Sequence, residues 1–367
     1  MIKTFPKERA ANRALLLEAV DGIAETLRAS GPRSEELGTL APEAVKALRE
    51  SGMFRLKLAN EMGGAEADPV TEMLVLENLA YHDLSGGWCT MVGATAIASC
   101  GMFLPPSGLA KVFNGNTIPT ASISFFPAGR GVREGDGYRI SGRWRFNSGV
   151  RHAEWVLGGT VIEGGEPLVI FAAFPAKDVT LYDNWGGVVG LRGTGSVDFS
   201  VENYLVPRDL TFVWDLLQPK PLRGGPGYLL PPFSYVAKEH GSVAIGAGRR
   251  ALDELIKIAT STRGTFRSSK LDERQWCTAR SPRPTSSCAR RARSCTNATT
   301  RSTTRWPPAI CQTAPTSPMC AQSACMPPRS QSASPPWRIT LPATPACIIR
   351  TSSAGCCATS TRPASIR

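Results

Sequence analysis

Apolar residues recur at helical spacing through the first third of the chain. In TLAPEAVKALRESG, Pro42 suits a first helical position, Val45 and Leu48 share one face, and Gly52 supplies a stop signal. A second helix is predicted from Pro69 to His82, where Met73, Leu74, Leu76 and Leu79 form a stripe suited to core packing. A third apolar stretch, Trp88 to Leu104, is too short and too interrupted by glycine to cross a membrane comfortably. From Thr120 the pattern changes to short β runs punctuated by glycine: GDGYRISGRWRFNSG, EWVLGGTVI and PLVIFAAFP. The alternation in SVDFSVENYLVP closes this region near Pro207, and a Pro- and Gly-rich connector runs from Gln218 to Pro232. Helical spacing returns in HGSVAIGAGRRALDELIKIATSTR, where Ala244, Gly248 and Ala251 share a face and predict close packing against a neighbour.

These patterns predict an α+β chain without internal repeats. A helical domain occupies 1–119, a β domain 120–215, a linker 216–234 and the start of a second helical domain 235–276. Residues 277–367 differ in kind, and composition shows how.

The chain carries 42 Lys and Arg against 30 Asp and Glu, a balance that alone would suggest nucleic acid or an anionic membrane. The excess lies wholly in the tail, which holds 12 Arg, no Lys and no carboxylate, so residues 1–276 carry 30 charges of each sign. Nine of the eleven cysteines also fall there, leaving Cys89 and Cys100 in the body. The tail has no His, and its Cys spacings match no zinc pattern. At the other end, MIKTFPKERAANRALLLEAVDGIAETL has charges throughout and resembles neither a signal peptide nor an anchor. A reduced, cytoplasmic protein with no nucleic-acid and no membrane partner is expected.

A disordered, Arg-rich segment is one account of the tail. A shifted reading frame is the other, and the genetic code tests it. A codon made from the last base of one residue and the first two of the next can encode only Leu across Cys356–Cys357, Ala across Met326–Pro327, and His or Tyr across Cys325–Met326. With permitted bases, the stretch from Ile349 to Ile366 becomes PNLFGRLLRDINTAGQH, and the start of the tail becomes HREIAEADLLLRAARAL. The second string carries helical apolar spacing with interleaved charge, while the first ends a helix with RLLRD followed by a short polar turn. A slip near Trp276 explains the change better than natural disorder does.

Four stretches, EMGGAEADP, GYRISGRWRFNSG, GLRGTGSVDFSVENYLVP and a helix containing RGTF, together with the helix–sheet–helix order, resemble the acyl-CoA dehydrogenase superfamily. The resemblance implies a fold of N-terminal helical domain, central barrel-like β domain and C-terminal helical bundle, the last largely lost to the out-of-frame tail. It implies a flavin, FAD or FMN, lying between the β domain and the last helical domain. Ser148 then falls at a position that hydrogen-bonds flavin N5, where a hydroxyl can donate or accept. Ser122 and Ser124 fall near the strand covering the pyrimidine side of the flavin, and Trp88 and Trp144 either flank the flavin or serve as core aromatics. Arg263, with Phe266 in the same motif, matches an Arg that contacts cofactor phosphates across a subunit interface. Members of this superfamily form homo-oligomers.

Two chemistries share the fold: dehydrogenation of an acyl-CoA by a Glu base and FAD, and hydroxylation by O₂ with reduced flavin from a separate reductase. The His closing the reconstructed ending and the GRWRFNSG motif point to hydroxylation of a small aromatic or polyketide-like substrate. Against this, many hydroxylases carry a His after the Trp equivalent to Trp88, and here that region reads Gly93-Ala94-Thr95-Ala96. A non-catalytic protein with a basic tail is a third possibility. His82, His152 and His240 are expected on the surface or satisfied in the core rather than as metal ligands. As written, the chain is expected to lose the helices that would cover the apolar face of Leu252, Leu255 and Ile256, and to give a poorly soluble or flavin-free product.

Overall fold

The computed structural model describes residues 4–115, 117–165, 168–213, 215 and 217–261. Arg263, Phe266 and the tail from 277 lie outside the described residues. The first helices are α1 (Arg9–Leu37), α2 (Pro42–Glu50), α3 (Pro69–His82), α4 (Leu84–Phe103) and α5 (Pro106–Val112). Local chemistry sets their ends. Glu8, Asp68 and Asp83 each accept two backbone N–H groups at the starts of α1, α3 and α4, and α2, α3 and α5 carry Pro in the first turn. Leu16, Val20 and Leu27 of α1, Leu48 of α2 and Leu76 and Leu79 of α3 are fully buried together. Of the stripe read from sequence, Leu74 alone is only half-buried. No helix among the described residues is long and apolar enough to cross a membrane.

The sheet comprises β1 (Ala121–Glu134), β2 (Gly137–Trp144), β3 (Trp155–Glu163), β4 (Leu168–Pro175), β5 (Thr180–Leu181), β6 (Phe199–Pro207) and β7 (Thr211–Phe212). Its order is β5-β6-β2-β1-β3-β4-β7. Every pairing is antiparallel except that of β1 with β3, which is parallel and shifts register between Ser124 and Gly129. Strands β2 and β4 stand three places apart in this order, about 14 Å in a flat sheet. Yet the Trp144 ring of β2 lies 5.6 Å from Phe174 of β4 and stacks 4.7 Å from Phe199 of β6. The sheet must therefore curl around Trp144. Gly158 makes room for it, since a Cβ there would fall 2.5 Å from the indole.

The chain returns to the helical layer as α6 (Pro232–Ser261). The close-packing face differs from the one expected from sequence. Ala244, Gly248 and Ala251 are exposed, whereas Ser242, Val243 and Gly246 are buried. At Gly246 a Cβ would lie 2.1 Å from the Glu77 carbonyl oxygen, so α6 meets α3 backbone to backbone there. The sequence periodicity is right, but two small-residue faces compete on one helix, and the ion-pairing groups described below select the second. Leu255 and Ile258 are 60% and 55% exposed.

Candidate functional site

A hydroxyl cluster forms where the segment after β2 passes the start of α4. The loop turns through Phe146 (φ +60°) and Gly149 (φ +78°), and the Ser122 hydroxyl of β1 donates to the Ser148 carbonyl at 2.9 Å. Ser148 Oγ accepts the Trp88 indole N–H at 2.9 Å and lies 2.7 Å from Ser196 Oγ. Ser196 Oγ lies 2.6 Å from Thr194 Oγ1, and the Thr194 hydroxyl donates to the Leu191 carbonyl at 2.7 Å. Ser196 and Thr194 belong to the GLRGTGS segment, a short turn between two left-handed residues, Leu191 and Gly195. This turn wedges against the helical layer, where a Cβ on Gly193 would sit 3.0 Å from Ser34 and Ser85.

The structure thus brings Trp88, Ser122 and Ser148 together and adds Thr194 and Ser196, to which the sequence pattern assigned no role. Ser124 is buried on β1 beside Gly158 of β3. Trp144 does not join them: it has no exposed surface, and its indole donates to the Gly159 carbonyl at 2.7 Å inside the sheet. Phe146 was also missed. It is 67% exposed, two residues before Ser148, with its ring centroid 6.3 Å from Trp185. An exposed aromatic in a left-handed conformation is costly unless something uses it, and the sequence gives no sign of that conformation. A hydroxyl beside two aromatic rings suits the polar edge of a flat heterocycle, so these residues fit the flavin that the sequence resemblance implies.

A second feature opens further along α4. Thr95 is seven residues beyond Trp88, two turns on the same face, hence about 10 Å away. There a cleft of about 50 Å³, open at its mouth, has apolar walls from Ala98, Met102, Phe103, Phe125 and Leu230. Its polar end holds Lys57, Glu72, Thr95 and Glu239. Lys57 Nζ lies 2.7 Å from Glu239 Oε1, a buried ion pair. Lys238 Nζ pairs with Glu72 Oε2 at 2.7 Å. Burial pushes the Glu239 carboxyl above its ordinary range; Lys57 opposes this shift and Glu72 adds to it. Beside Glu239, the His240 ring meets the Trp88 indole edge-on at 5.0 Å, so α6 serves both features.

Of the other histidines, His82 shares a 2.8 Å hydrogen bond with Arg28. His152 has its Nδ1 enclosed without a hydrogen-bond partner. Burial, aided by Arg49, lowers its pKa to about 4. Among the described residues no three His, Cys, Asp or Glu side chains are grouped to hold a metal ion.

The helical layer and curled sheet define an acyl-CoA dehydrogenase-like fold, and residues 10–103 match the acyl-CoA dehydrogenase N-terminal domain family. Among relatives, the flavin-dependent monooxygenase oxygenase subunit HsaA of Rhodococcus jostii is 36% identical over 194 residues, 52% of this chain and 50% of that one. The indole-3-acetate monooxygenase of Pseudomonas putida is 25% identical over 261 residues, 71% of this chain and 65% of that one. Among solved structures, XiaF from Streptomyces sp. in complex with FADH2 and glycerol superimposes with a TM-score of 0.64 at 27% identity, covering 74% of this chain and 70% of that one. The chain therefore spans about half to two thirds of the length of these curated relatives. The superfamily resemblance read from the motifs holds.

Proposed function

We propose that this chain derives from the oxygenase component of a two-component flavin-dependent monooxygenase that hydroxylates a small aromatic or polyketide-like substrate. The observation that carries this is the Trp88–Ser148–Ser196 cluster with Phe146 exposed beside it, in a fold shared with relatives named as monooxygenases. No relative reported above is named a dehydrogenase, and the acyl-CoA alternative gains no support from the cleft. Reduced FAD or FMN, delivered by a separate reductase, would supply the O₂ chemistry when bound. The protein's part is to seat the ring edge at Ser148 and to hold substrate in the cleft, with its apolar body against Met102, Phe103 and Phe125. Glu239, whose carboxyl burial pushes above its ordinary range, stands where it could accept or donate a proton at a substrate hydroxyl.

We also propose that residues from about 277 are read out of frame. The 261-residue alignment with the indole-3-acetate monooxygenase is about as long as the segment that precedes the change in composition. As written, the chain would lack the helices that complete the pocket and would not turn over. A homo-oligomer is expected of the frame-restored protein, in keeping with the superfamily.

Resequencing the coding DNA across Gln275 to Arg280 tests the frame. The activity is tested by mixing frame-restored protein with photoreduced FAD or FMN, O₂ and a panel of phenols and indoles. O₂-dependent hydroxylated product is expected. Oxidation of an acyl-CoA without O₂ incorporation would overturn the proposal.

A further inference from the structure

The hydroxyl chain has only one consistent direction. Its three close contacts, Ser148–Ser196 at 2.7 Å, Ser196–Thr194 at 2.6 Å and Thr194–Leu191 carbonyl at 2.7 Å, share three hydroxyl protons. Oxygens this close repel unless a proton lies between them, so each contact needs one. The Leu191 carbonyl brings none. Thr194 must therefore donate to Leu191, Ser196 to Thr194, and Ser148 to Ser196. Ser148 Oγ also receives the Trp88 N–H, which leaves it one lone pair and no proton for a ligand.

From this geometry we infer that Thr194 and Ser196 are positioning residues that fix Ser148 as an acceptor, so the site selects a ligand presenting a donor. The inference rests on the proposed placement of flavin at Ser148. Reduced flavin carries a proton on N5 and satisfies Ser148; oxidised flavin presents a lone pair there and faces another. The redox preference is thus set by a carbonyl three hydrogen bonds away. Ser196 and Thr194 are 4% and 0% exposed, so water does not readily supply an alternative proton.

The test is anaerobic titration of the full chain, as written and with its frame restored, with oxidised and photoreduced FMN and FAD. The midpoint potential of the bound flavin is measured alongside. A missed hydrogen bond in an enclosed site predicts reduced flavin binding roughly tenfold tighter than oxidised, equivalent to about +30 mV for this two-electron couple. Thr194→Val frees the Ser196 proton, lets Ser148 turn outward as a donor, and should bring the two affinities within about twofold. Thr194→Ser keeps the terminal donor and should restore the preference, which a purely structural role for Thr194 would not require. Equal affinities in the unaltered protein, or a preference untouched by Thr194→Val, overturn the inference while leaving flavin binding intact. A frame-restored protein that binds neither form overturns the flavin placement itself, and the preference with it.

Discussion

Adding one methyl group to α6 should have opposite effects at Gly246 and Gly248. In an exposed helix interior, Gly→Ala stabilises by about 1 kcal/mol through backbone entropy. Gly248 has open space around its Cβ direction, so Gly248→Ala should show that gain. At Gly246 the methyl would sit 2.1 Å from the Glu77 carbonyl oxygen and 3.0 Å from the Ala80 methyl. Relief needs roughly 1 Å of separation between α6 and α3, against a packed interface that also carries the Lys238–Glu72 pair. Overpacking of this kind costs about 1–3 kcal/mol, and with a backbone-to-backbone contact the cost falls towards the upper end, which cancels the helical gain and leaves a net loss of up to about 2 kcal/mol. The assay is thermal unfolding of both variants by far-ultraviolet circular dichroism. At about 2–4 °C per kcal/mol, Gly248→Ala should raise Tm by a few degrees and Gly246→Ala should lower it. If both substitutions move Tm the same way, α6 does not meet α3 at Gly246.

Three further outcomes follow from individual side chains. The folded pKa of His152, about 4, lies below its ordinary value of 6.5, so the unfolded chain binds the extra proton and stability is lost as pH falls from 6.5 towards 4. His152 keeps some solvent contact, so about 1–2 kcal/mol is expected to disappear between about pH 7.5 and pH 5; urea midpoints should show His152→Leu losing less, and an equal loss in both proteins would contradict this. Lys57→Met strands a buried carboxyl and should cost about 3 kcal/mol, whereas Lys57→Met with Glu239→Leu should cost less; strict additivity in a double-mutant cycle would count against the pair. Phe146→Ala should leave the unfolding free energy within about 0.5 kcal/mol of the unaltered value yet weaken reduced-flavin binding about fivefold, and unchanged affinity would remove Phe146 from the site.

Helices were most legible where their signals are local. Asp68 and Pro69 place the start of α3, and Pro42 that of α2, because caps and proline act within one turn. The face that α6 buries was not legible. Ala244, Gly248 and Ala251 and the set around Gly246 have similar spacing, and only Lys238 and Glu239, meeting Glu72 and Lys57 far away in sequence, choose between them. The site was half legible. Trp88, Ser122 and Ser148 could be named from motifs, while Ser196 and Thr194 emerge only when the GLRGTGS turn docks beneath Ser148. Trp144 sits in a motif that suggests a cofactor, but the glycines at 129, 142 and 158, spread over three strands, make a hole that only its indole fills.

The parallel pairing of β1 with β3 has a consequence for engineering. Because β3 runs alongside β1 in the same direction, residues 145–154 must return beneath the first residue of β1, and they are tied there by the Thr120 hydroxyl to His152 and by the Glu154 and Trp155 amides to Thr120. This strap carries Ser148, and its length is set by the width of the strand it passes. Inserted residues or a fluorescent label here would shift the hydroxyl sideways, whereas Gly164 and Gly165, past the far end of β3, have open space around them and would tolerate a tag.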